Sequence, residues 1–223
     1  MAIIYSYPRI TTLNNSDLLI GTRFENEDNG SARSVSFTAE TIGQYVSANY
    51  ITSYGLASQT ANSTPITNTT VAGALNGSEY VGTLTVPANG FSVGDAFNAY
   101  LMGHISNSNN TVLTITIETV AGVVLATTGA MTLAISSDNH WQLDMDFVIR
   151  EVGAAGTASI ITSGTFSHNK SANNNLETYS FISENTTTFN TTIANELVIK
   201  ARWTTASTSN SIYSNVFILN KVY

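Results

Sequence analysis

The sequence has no cysteine, only three prolines, and few charges: 10% of its 223 residues are Asp, Glu, Lys or Arg. The missing thiols exclude a disulfide framework and any thiolate metal site. Eight basic residues against fifteen acidic ones give a net charge of −7 with no basic run, which argues against nucleic acid as a partner. No apolar stretch approaches the roughly 20 residues of a membrane-spanning helix, so no membrane insertion is expected. The first residues, Met1 to Tyr5, lack the basic start and apolar core of a secretion signal, and the expectation is a soluble chain made in a cytoplasm. Catalytic signatures are missing as well. No Gly-x-Ser-x-Gly elbow is present. His104, His140 and His168 are the only histidines, none at metal-ligand spacing. The glycine-rich patches lack the lysine and helix of a phosphate loop. The expectation is a non-enzyme with no catalytic residue, no metal and no cofactor.

What replaces charge is Asn, Ser and Thr, a polar, β-favouring mixture that argues for an all-β protein. Short alternating runs recur between Asn/Gly/Ser turns. Phe97, Ala99, Leu101 and Ile105 alternate with Asn98, Tyr100, Met102 and His104. Leu113, Ile115 and Ile117 alternate with Thr114, Thr116 and Glu118. Trp141, Leu143, Met145, Phe147 and Ile149 alternate with Gln142, Asp144, Asp146 and Arg150. Near the C-terminus Leu197, Ile199, Ala201 and Trp203 share one face. Period two of this kind marks strands with one buried face. Seven to nine such strands in about 150 residues mean a sandwich or a barrel.

The first 50 residues read differently. Asp17 to Phe24 and Ser34 to Phe37 form the arms of a hairpin around Asn29-Gly30. Thr38 caps a short helix whose apolar face carries Ile42, Tyr45 and Val46. This unit is too small to hold a comfortable core alone. It therefore reads as an anchor that docks through Ile3, Ile4, Tyr5, Tyr7, Leu18, Leu19, Ile20, Phe37, Ile42 and Tyr45. The organisation expected is an anchor module at 1–50, a Ser/Thr/Asn-rich linker or wrapping segment at 51–70, and a β-sandwich knob at 71–223.

Two features carry candidate chemistry. Asp144 and Asp146 share one face of their strand, about 7 Å apart at Cα. That spacing serves half a calcium site or a glycosidase pair. The opposite face is the core, however, so the pair reads as solvated. A glycan site would need aromatic platforms beside these carboxylates, and they lie on strands whose neighbours the sequence does not specify. The second feature is aromatic. Alternation in the last strand sets Ile212, Val216, Ile218 and Val222 against Tyr213, Phe217, Leu219 and Tyr223. Together with Tyr100, the second set makes an apolar face larger than a monomer usually exposes. Tyr100, Tyr213, Phe217, Leu219 and Tyr223 are the expected subunit interface.

Three N-terminal stretches, Met1 to Pro8, Ser16 to Thr22 and Ser36 to Ile42, resemble the N-terminal module of virion structural proteins in tailed bacteriophages. Thr85 to Asp95, Trp141 to Arg150 with Gly153, and Arg202 to Tyr223 resemble the jelly-roll knob of phage fibre proteins, a pattern shared with tumour-necrosis-factor-like trimers. The resemblance implies a mainly β chain, an antiparallel jelly-roll β-sandwich preceded by a small hairpin-plus-helix anchor. It also implies a homotrimer attached to other virion structural proteins of the capsid or tail, assembled in the host cytoplasm. Short tail fibre, head fibre or capsid decoration, and a tail carbohydrate-binding module are the roles it leaves. A host surface glycan or protein is the external partner it implies.

Overall fold

The computed structural model describes residues 14–24, 32–43, 54–171 and 175–223. The chain divides into two compact units, Met1–Thr52 and Ser53–Tyr223. In the first, β1 (Leu18–Phe24) pairs antiparallel with β2 (Ala32–Thr38), from Leu18 opposite Thr38 to Phe24 opposite Ala32. A single helical turn follows at 39–43. Its cap is Thr38, whose Oγ1 accepts the Thr41 N–H at 3.0 Å, as an N-cap hydroxyl does. Of the expected anchor residues, Leu18, Leu19, Ile20 and Ile42 are exposed, Ile20 at 86%, and Phe37 is half-buried. Ile3, Ile4, Tyr5, Tyr7 and Tyr45 lie outside the described residues.

The second unit is a two-layer antiparallel sandwich. Its strands are β3 (Tyr54–Gln59), β4 (Ile66–Thr67), β5 (Gly73–Ala74), β6 (Tyr80–Gly82), β7 (Thr85–Val86), β8 (Ala96–Asn107), β9 (Thr111–Thr119), β10 (Val124–Thr127), β11 (Met131–Leu133), β12 (Ser136–Glu151), β13 (Ser159–Asn169), β14 (Leu176–Asn185), β15 (Asn195–Trp203) and β16 (Ser211–Lys221). The larger sheet runs β14-β13-β12-β8-β16-β3-β6, with β4 also on β16. The smaller one places β9 beside β15, flanked by β10 and β11 on one side and β5 and β7 on the other. Counting β5/β7 and β10/β11 as single broken strands, the first strand lies beside the eighth, the second beside the seventh, the third beside the sixth and the fourth beside the fifth. That is a jelly roll, with β13 and β14 added at one edge of the larger sheet.

The core fills from alternate residues of facing sheets. Leu101, Leu143, Met145, Phe147 and Phe217 come from the larger sheet, and Leu113, Ile115, Ile117, Ile199 and Trp203 from the smaller. Trp141 and Phe166 stack within it at 5.9 Å. Gly164 on β13 is covered by the Phe181 ring of β14, whose tip stands 2.6 Å from where a Cβ would project.

Two expectations need correction. Residues 51–70 are not a linker from 54 onward, because β3 and β4 pair with β16 and bury Ala57 and Ile66. Their hydroxyl-rich composition suits strands with one wet face as well as it suits a loop. The second correction concerns β16. Its alternation breaks between Ser214 and Val216, where Asn215 is an extra residue: Ser214 faces Gly103 and Val216 faces Met102. A bulge of this kind moves every later side chain to the other face. Phe217, with no exposure, and Leu219 are therefore core residues, not interface residues, while Val216 and Ile218 face outward.

The bulge is built in by three residues. At Gly103 an added Cβ would stand 1.9 Å from the Tyr213 carbonyl oxygen, so only glycine lets β16 come this close. The Trp141 indole N–H donates to the carbonyls of His104 (3.1 Å) and Tyr213 (3.0 Å). Buried Ser214 accepts the Gln59 amide at its carbonyl (3.3 Å), donates its N–H to Ser63 Oγ (2.9 Å), and donates its hydroxyl to the Leu75 carbonyl. Gly103→Ala should lower stability by about 3 kcal/mol, at the upper end of ordinary overpacking, and Trp141→Phe by about 1–3 kcal/mol through orphaned carbonyls. Urea unfolding followed by fluorescence or circular dichroism checks both, and an unchanged midpoint for Gly103→Ala would show that the bulge is not fixed by this contact.

Candidate functional site

The two outer faces of the sandwich differ in kind. On the smaller sheet Thr114, Thr116, Glu118, Lys200 and Arg202 point outward, and Lys200 pairs with Glu118. That face is ordinary solvated surface. The outer face of the larger sheet is divided. Tyr100 and Met102 of β8 stand opposite Ile218 and Val216 of β16, and Tyr213 opposite His104. These side chains are half-buried or exposed, and they form an apolar half. Of the expected interface residues, Tyr100 and Tyr213 belong to it. Tyr223 is 68% exposed beyond the end of β16.

The other half lies over β12, β13 and β14 and is polar. Across it run two rows fixed by strand register. In one, Ser180, Thr165 and Asp144 lead to Tyr100; in the other, Ile182, Ser163 and Asp146 lead to Asn98. Gln142 and Ser167 extend it. Leaving out Tyr100 and Ile182, these residues line, with Gly164 and Phe181, a concavity of about 600 Å³. Asp144 and Asp146 face solvent, as their strand pattern requires, and among the described residues neither has a cationic partner. The Asn98 amide holds both, at 3.0 Å from Asp144 Oδ1 and 3.1 Å from Asp146 Oδ1. Sequence reasoning missed Asn98, since it is 46 residues from Asp144 and only the β8–β12 register joins them. That register also sets Asp144 directly across from Tyr100, so carboxylate and aromatic ring are neighbours.

At one end of this face His104 and His140 meet across β8 and β12, ring centroids 4.8 Å apart. The His104 ring stacks on Tyr213 at 5.6 Å, and its Nδ1 bonds Asp138 Oδ1 at 2.9 Å. Among the described residues no three His, Asp or Glu side chains are grouped to hold a metal ion.

Among the described residues the triad types also come together inside the sandwich. Fully buried His168 bonds Ser136 Oγ at 3.0 Å and Glu177 Oε2 at 2.8 Å. Ser136 is itself buried and bonds the Asn169 carbonyl, so no substrate carbonyl could reach it. The group ties β12, β13 and β14 together. A further apolar cavity of about 80 Å³ lies between the sheets, walled by Phe91, Phe97, Phe147 and Phe189.

No protein-family model and no curated protein matches the sequence. Among solved structures the chain is similar to the CBM2 module of the evolved Dit of Lactobacillus casei BL23 phage J-1. The identity is 12% and the TM-score 0.29, over 63% of this chain and 67% of that one. A superposition so loose bears on neither topology nor function.

The buried group makes stability pH-dependent. Burial pushes the Glu177 carboxyl up, but the Ala134 N–H, the hydrogen bond and charge of His168, and Lys170 outweigh it and hold it below its ordinary 4.5. A carboxylate with a lower pKa folded than unfolded contributes stability above the unfolded value and loses it as pH falls through the folded one. Glu177→Gln should therefore be less stable than the native chain at neutral pH. The gap in thermal midpoint should narrow as pH drops below about 4.5. Midpoints of both proteins measured from pH 7 to 3 check this; a constant gap would mean that the Glu177 charge is not what matters.

Proposed function

We propose that this chain is a non-enzymatic structural appendage of a bacteriophage particle. The N-terminal unit docks onto another virion structural protein of the tail or head. The jelly roll assembles as a homotrimer and is displayed outward as an attachment knob. The observation that carries this reading is the apolar half of the larger sheet's outer face, where Tyr100, Met102, Tyr213, Val216 and Ile218 adjoin with no layer of the second unit's described residues over them. Removing a large apolar side chain from water is worth roughly 1.5–3 kcal/mol when complete, so a face of five such residues supports self-association. The opposite face of the sandwich, with its Lys200–Glu118 pair, offers no comparable surface. The exposed Leu18 and Ile20 share one face of β1 and give the hairpin an apolar patch of its own for docking.

The interface is tested at Ile218 and Val216, because Phe217 lies in the core and its replacement would unfold the monomer. Light scattering on the full chain at micromolar concentration should give a trimer. Ile218→Asp and Val216→Asp should give folded monomers, since either places a charge in a dry contact. A monomeric native chain, or a trimeric Ile218→Asp variant, would remove the interface.

The anchor is tested by truncation. The cut belongs before Ser53, because β3 begins at Tyr54. A chain beginning at Ser53 should stay folded yet fail to attach to particles, and stoichiometric attachment of that chain would overturn the division of labour.

A further inference from the structure

Resting on the reading of the jelly roll as a displayed knob, we propose that the polar half of its outer face binds a neutral glycan directly, without a metal ion. The site is the 600 Å³ concavity over β12, β13 and β14. Its hydrogen-bonding capacity is free. Among the described residues the side chains of Gln142, Ser163, Thr165, Ser167 and Ser180 have no intramolecular partner, and the second carboxylate oxygens of Asp144 and Asp146 have none either.

Asn98 is the organising group. Its amide nitrogen points at Asp144 Oδ1, the Met145 carbonyl and Asp146 Oδ1, at 3.0, 3.2 and 3.1 Å. That contact fixes both carboxylates while leaving an oxygen of each to accept from a ligand. The floor therefore presents placed acceptors beside a field of short hydroxyls that both donate and accept. A ligand that satisfies them must carry many hydroxyl groups of its own. Charge narrows the class further. Two carboxylates without a cationic partner repel phosphate, sulfate and uronate, so the ligand is neutral. A bound cation is disfavoured too, because an amide N–H already occupies the space between the carboxylates. A protein partner would want an apolar centre, and here the apolar groups, Ile182 across from Ser163 and Phe181 across from Gly164, stand on β14 at the edge of the polar rows. A neutral oligosaccharide meets each requirement, its C–H face against Ile182 and its hydroxyls on the floor.

A site made of hydrogen bonds to solvent-facing groups binds weakly, and three copies on one trimer would compensate by avidity. The interface and the site occupy different halves of the face, so a mutation in one leaves the other intact.

The test uses the full chain on an array of immobilised neutral hexose and N-acetylhexosamine oligosaccharides, with sialylated and sulfated ones alongside, in calcium and in EDTA. The expected result is retention on one group of neutral glycans, equal in both buffers. Asp144→Asn with Asp146→Asn, and separately Asn98→Ala, should each cut retention at least ten-fold, with thermal midpoint and trimer mass unchanged. A trimeric chain that binds no neutral glycan would overturn the site and leave the appendage reading standing. Loss of binding in EDTA, preference for anionic glycans, or full retention by the double variant would each overturn it as well. So would adhesion to bacterial envelopes that survives periodate oxidation but not protease, which would name a protein receptor. A monomeric native chain that still binds neutral glycans would sink the trimer and keep the site.

Discussion

The architecture depends on one extra residue in the last strand. β16 is central to the larger sheet, with β8 on one side and β3 and β4 on the other, so its register sets both faces of the fold. Without Asn215 as a bulge, the alternation begun at Ile212 would carry Val216 and Ile218 inward and put Phe217 and Leu219 in solvent. With it, Phe217 packs beneath Leu101 while Val216 and Ile218 join Met102 and Tyr100 outside. The costs of a bulge are two loosened carbonyls and a kinked backbone. Here they are met locally. The Trp141 indole N–H takes the carbonyls of His104 and Tyr213, Gly103 makes room, and Ser214 fastens the kink to Gln59, Ser63 and Leu75.

Most of the fold was legible because β-alternation is a local signal. The inward residues of β8, β9 and β12, and Ile199, Ala201 and Trp203 of β15, are those the pattern names. The Thr38 cap was legible for the same reason, since a cap and its helix are three residues apart. The bulge was not. Nothing in the run from Ile212 to Leu219 marks Asn215 as supernumerary, and the glycine that makes room for it lies more than a hundred residues earlier. Residues 54–67 were not legible as strands because two short strands whose only buried apolar residues are Ala57 and Ile66 have the composition of a loop.

The outer face was legible only in pieces. Asp144 and Asp146 were visible as a pair on a solvent-facing strand, and Tyr100 and Tyr213 as outward aromatics. Whether these belonged together is a question of which strands are neighbours, and topology alone answers it. β12 lies between β8 and β13, so the carboxylates have Asn98 and Tyr100 on one side and Ser163 and Thr165 on the other. His168 and Glu177 show the converse. Nine residues apart and of catalytic type, they meet with Ser136 in a buried clasp that closes the β13–β14 extension onto the sandwich.

The placement of β3 has a mechanical consequence. The second unit begins at Ser53, and β3 runs from Tyr54 antiparallel to β16, with Tyr54 opposite Lys221. A pull applied at Ser53 along β3 does not peel that strand away bond by bond. It slides β3 lengthwise against β16, so the ladder bonds share the load at once, and the Gln59 and Ser63 bonds to Ser214 lie further along the same line of force. Rupture under tension along β3 then requires several hydrogen bonds to fail together, because a domain held at Ser53 and pulled along that strand is loaded in shear rather than peeled.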